Sequence, residues 1–118
     1  MTVEFLPRRL RSLDPVAGPR GLRIHRVDGP WARLLGLAGL SHLPAGRGLL
    51  LERTRSVHTF GMRFALDLVW LRAGRVMRID LCVPPRRLRG CRAADGVLEQ
   101  AAGQAAAVGL AVGARVPG

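Results

Sequence analysis

The chain has 118 residues, 48% of them hydrophobic, and its only rings besides histidine are Phe5, Phe60, Phe64, Trp31 and Trp70. That is enough for one domain burying roughly two thirds of its unfolded surface, which argues against wholesale disorder. Its 19 basic residues are all Arg, they face eight acids, and the resulting charge of +11 favours anionic partners, whether an acidic protein, a small anion, a lipid surface or nucleic acid.

No apolar run approaches the roughly 20 residues of a membrane-spanning helix, and the N-terminus has no signal-peptide core. The expected location is cytoplasmic, with association at a membrane surface left open. Cys82 and Cys91 make no disulfide framework and read as free thiols, Cys91 and Cys82 alike being more at home buried than reactive.

Residues 1–20 carry Pro7, Pro15, Pro19, Gly18 and four Arg without a sustained period, and read as a flexible basic arm. One globular domain is expected over 21–118. It opens with a strand at 21–27, where Leu22 and Ile24 alternate with Arg23 and His25. Asp28-Gly29-Pro30 then starts a helix over about 30–38, with Trp31, Leu34, Leu35 and Ala38 on one face.

Residues 43–48 form a turn-rich loop before a short buried strand at Leu49-Leu50-Leu51, and 54–61 read as a polar connection. Leu66–Arg72 is the strongest strand. Ala73-Gly74 joins it to Arg75–Val83 as a hairpin, in which the alternation predicts Met77, Ile79, Leu81 and Val83 on the buried side. Pro84-Pro85 ends the ladder, and Arg86–Arg92 reads as a basic loop. In the tail, the Ala-rich stretch favours helix with Gly109 as its C-terminal cap, and 110–116 reads as a turn between two extended pieces.

Three segments in this order, GLLLERTRSVHTFGMRFALDLVWLRAGRVMRI, VPPRRLRGCR and GVLEQAAGQAAAVGLAVGARV, resemble the family called domain of unknown function 192, over about residues 21–117. The resemblance implies an α+β fold, a small β-rich domain whose mostly antiparallel sheet curls like a barrel, with one or two short helices. It also places a strand at 97–100 and a helix at about 103–108. It implies no activity, and it suggests a link to pilus assembly or the cell envelope. The chain departs from the family pattern at Ala65, where Pro is common, and at Gly113-Ala114, where Gly-Asp is usual.

Asp67 lies inside an apolar strand and must find donors or face solvent. His58, Thr59, Arg63 and the backbone around Gly61 are the nearest candidates, so Asp67 is expected to staple the 56–64 loop to the sheet. Met62 and Phe64 fill core space in that reading. The ligand-site reading instead makes the loop a rim, and its candidate binding residues are Arg53, His58, Thr59, Met62, Arg63, Asp67, Arg86, Arg87 and Glu99. Glu99 would be satisfied by pairing with an Arg of these clusters.

No metal-ligand spacing, phosphate loop, dinucleotide fingerprint or hydrolase elbow is present, and neither metal nor cofactor is expected. A non-catalytic binding or accessory module, with a loop-lined groove for a protein or small anionic ligand, is the favoured reading. A nucleic-acid binder driven by the Arg excess and an enzyme using His58 and Asp67 are the alternatives.

Overall fold

A computed structural model describes residues 15–27 and 43–116. The helix expected at 30–38 and the first fourteen residues lie outside them. The described residues form eight strands: β1 (Pro15–Ala17), β2 (Arg23–Val27), β3 (Arg47–Glu52), β4 (Ser56–His58), β5 (Leu66–Arg72), β6 (Arg75–Val83), β7 (Leu88–Gly90) and β8 (Gly96–Ala101). One short helix, α1 (Gln104–Ala107), follows. The expectation of a small β-rich α+β domain is met in this coarse form.

Six strands make one sheet in the order β1-β2-β3-β8-β5-β6, and β4 and β7 pair separately as a two-stranded ribbon. The sheet ends at β1 on one side and β6 on the other, so it is open and does not close into a barrel. It is also mixed: β2 and β3 run parallel, and the remaining pairs are antiparallel. β1 lies within the stretch read as an arm, and its pairing with β2 brings the sheet's edge forward to Pro15.

The sheet buries both faces, which is why its central strands read as unbroken apolar runs. Leu49, Leu51, Leu66, Leu68, Trp70 and Val97 form one core, with Met62, Val83 and Cys91 against them. Leu22, Ile24, Leu50, Val69, Leu71 and Leu98 form the second, covered by Ala105, Val108 and Val116. Gly48 packs closely against the second core, since a Cβ there would stand 2.8 Å from a Leu98 methyl.

The 66–83 hairpin is present, and both turn residues have positive φ, 51° at Ala73 and 76° at Gly74, the mirror-image turn that matches strand twist. Its predicted face assignment is corrected. Leu71 pairs with Val76 but Trp70 with Arg78, and Leu68 pairs with Asp80 but Leu66 with Val83. Two extra residues in β6 therefore break the alternation. Val76 is buried rather than exposed, Leu81 is 62% exposed, and Met77 and Ile79 pack against opposite cores. α1 ends as its sequence predicts. Gly109 takes φ 73°, its N–H donates to Ala106 O, and Leu110 N–H donates to Ala105 O.

Candidate functional site: a basic ribbon and a charged cavity

The stretch read as a polar connection and the stretch read as a basic loop find each other. Ser56 pairs with Gly90, Val57 with Arg89 and His58 with Leu88. Strands this short carry no periodicity, so neither is visible in the sequence. Thr59 is the clasp beyond the ribbon's end. Its hydroxyl donates to Pro84 O at 2.7 Å and accepts from Arg87 N–H at 2.8 Å. Its backbone N–H donates to Arg87 O, and its own carbonyl accepts from Arg86 and Met62. Thr59 is fully buried, so it shapes the site from beneath and is not a rim residue.

The ribbon is also tied down on its other strand. Arg78 donates to Gly90 O at 2.6 Å, pairs with Asp80 and lies 5.6 Å over the Trp70 ring, whose Nε1–H donates to Asp80. Cys91 N–H donates to Arg55 O, and its Sγ donates to Met77 Sδ at 3.8 Å. On this platform Arg55, Arg63, Arg86, Arg87 and Arg92 are exposed and Arg89 is half-buried. Residues 53–66 and 81–94 contain no Asp or Glu. Among these Arg stand Phe60, 50% exposed, and Leu88, 71% exposed. The half-buried His58 ring sits 6.0 Å from that of Phe60.

Asp67 is buried and held by three backbone donors, as a carboxylate in an apolar strand requires. They are not the expected ones. Cys82 N–H reaches Oδ1 at 3.0 Å; Gly103 N–H and Ala105 N–H reach Oδ2 at 2.9 and 3.1 Å. Asp67 thus pins the irregular end of β6, where Cys82 has φ 52°, and the start of α1. It does not staple the 56–64 loop, and the suggested His58–Asp67 pair is not what holds it. Met62 is core, as expected.

Glu99 is buried between Leu49 and Leu68 in the ladder, with no ion pair to any of the exposed Arg. Burial alone pushes its carboxyl up to about 8. Among the described residues no three His, Cys, Asp or Glu side chains converge as metal ligands, and no helix is long and apolar enough to cross a membrane.

Arg53 stands apart from the other candidates. It lines a cavity of about 350 Å³ at the ends of β3, β5 and β8. Its lining is apolar at Leu50, Leu71 and Val116, without side chains at Gly74 and Gly96, and charged at Asp95 and the Arg26–Glu52 ion pair (3.3 Å). Nothing in the sequence pattern marks this cavity, because its lining comes from five separated segments.

The family model of DUF192, described as an uncharacterized ACR, matches residues 16–118. A comparison with curated proteins finds no match. Two solved structures share the fold. One is a protein of unknown function from Novosphingobium aromaticivorans DSM 12444, 20% identical, with a TM-score of 0.78 over 90% of this chain and 85% of that one. The other, from Sinorhizobium meliloti 1021, is described as a "putative transcription regulator"; it is 24% identical, with a TM-score of 0.74 over 82% of this chain and 81% of that one.

Proposed function

This chain belongs to the DUF192 family, and on that premise we propose that it is a non-catalytic binding module whose β4–β7 ribbon docks an acidic protein segment. One observation carries the reading: six Arg with no acid among them share a braced ribbon with two exposed apolar side chains, Phe60 and Leu88. Carboxylates of a partner would meet the guanidiniums, which take them in bidentate fashion. Apolar side chains of the same partner would cover Phe60 and Leu88, a role that a phosphate backbone does not supply. Arg and aromatic residues are the side chains that interfaces concentrate. The Arg, Phe60 and Leu88 side chains are mostly exposed, which suits a macromolecule better than an enclosed small molecule.

The test uses a fluorescein-labelled peptide of alternating Glu and Leu, with a DNA duplex of equal length beside it. Arg63→Glu combined with Arg87→Glu should weaken peptide binding by about 5- to 30-fold, since each reversed rim charge costs roughly 0.5–1 kcal/mol. Phe60→Ser should weaken the peptide and leave the duplex unchanged. If the duplex binds more tightly than the peptide at physiological salt, the nucleic-acid reading takes its place, in keeping with how the Sinorhizobium relative is described.

A further inference from the structure

The geometry points to a second binding site: the cavity lined by Arg53 and Asp95 takes a small zwitterion, an amino-acid-sized molecule with one carboxylate, one amine and a short aliphatic body. This inference stands independently of the ribbon. Its volume of about 350 Å³ is at the lower end for ligand pockets, which suits a molecule of this size.

The charges set the class. The chain is strongly cationic, yet two of its eight acids, Glu52 and Asp95, line this cavity together with two Arg, Arg26 and Arg53, so the lining is charge-balanced. A phosphate would bring its second negative charge against both carboxylates, whereas a net-neutral zwitterion meets each sign with its opposite. Glu52 is already engaged by Arg26. Two groups are uncommitted. The Arg53 guanidinium makes no hydrogen bond or ion pair among the described residues, and its fork matches a carboxylate.

Asp95 accepts from Ala73 N–H through Oδ2 at 2.9 Å, which leaves Oδ1 for an ammonium. A second bond, Asp95 N–H to Leu71 O at 2.9 Å, holds the residue's backbone in place, so the acceptor is preorganised. The rest of the lining includes the buried Leu50, Leu71 and Val116, with Gly96 contributing no side chain. A branched aliphatic body lies on that surface.

L-Leucine is the first probe, read by amide shifts of residues 50–53, 74 and 95–96 in the full chain, followed by the other free amino acids. Leucine or a near relative should shift these amides saturably. Isocaproate, which lacks the amine, and isoamylamine, which lacks the carboxylate, should each bind at least about tenfold more weakly. Arg53→Gly removes the guanidinium at a position whose φ of 52° suits glycine, and Asp95→Asn keeps the acceptor for Ala73 while removing the charge. Both should lose at least about tenfold in leucine affinity with unfolding temperature little changed. The proposal fails if no free amino acid at about 10 mM moves these amides. It fails equally if the two singly charged analogues match leucine, or if both variants bind it as the parent does.

Discussion

Glu99 and Asp67 occupy adjoining strands of one sheet and solve the problem of a buried acid in opposite ways. Asp67 has three backbone N–H donors that no side-chain change elsewhere removes. No such set is formed around Glu99 among the described residues, and burial instead favours its protonated form, with its carboxyl pushed up to about 8. In the unfolded chain a Glu ionises near its ordinary value of 4.5. Between those two values the native state binds the extra proton, so stability falls as pH rises through the window. The cost is absent below about 4.5 and complete above about 8. Glu99→Gln, which removes the ionisation, should therefore change little at pH 5 and stabilise by roughly 2–4 kcal/mol at pH 8. Denaturant titrations of both proteins at the two pH values measure this difference, and a pH-independent difference would refute it.

That a carboxylate in the strand 66–71 needs donors was legible from the sequence, because burial without them is costly whatever the fold. Which donors it finds was not. They lie 15, 36 and 38 residues away, beyond any local pattern. Proximity in sequence favoured His58 and Thr59, and Thr59 instead clasps the 84–87 segment.

Among the elements, the hairpin of β5 and β6 was the most readable, since two apolar runs flank a two-residue turn ending in Gly. Its first turn residue is nevertheless Ala73 at φ 51°, where a Cβ is disfavoured. Ala73→Gly should raise stability by about 0.5–1 kcal/mol, the relief of strain outweighing the added freedom of the unfolded chain. The N–H that donates to Asp95 is retained in the variant, so a shift of the urea midpoint reports the turn itself. A lowered midpoint would mean that the turn favours alanine.

The face assignment of β6 failed for a reason belonging to elements too. Alternation assumes one residue opposite one residue, and the two irregularities in pairing each break that count. β4 and β7 were hidden because three residues cannot show a period, and their partner is supplied only by the approach of two distant loops.

For the molecule as a whole, the charge is the dominant fact. Two ion pairs between described residues are Arg26–Glu52 and Arg78–Asp80, each partly exposed. With a charge of +11, repulsion between guanidiniums should outweigh what those pairs contribute. Raising sodium chloride from about 0.05 to 0.5 M shortens the Debye length severalfold and should raise the unfolding temperature by a few degrees. A thermal melt that falls with salt would show that attractive surface pairs prevail instead. The same screening should weaken peptide binding at the ribbon, so stability and affinity should move in opposite directions.

Apolar runs and turn chemistry marked the 66–83 hairpin and the strands at 21–27 and 49–51, composition gave the cationic excess, and the family resemblance implied the small β-rich domain, because all of these depend on residue type and spacing along the chain. Tertiary structure alone decided that the sheet stays open, that β4 meets β7, that Asp67 holds β6 and α1, and that Arg53 joins Asp95 around a cavity. Each of these depends on segments far apart in sequence being brought together, and the free energy that does so comes from packing both faces of one sheet, which no local window of residues records.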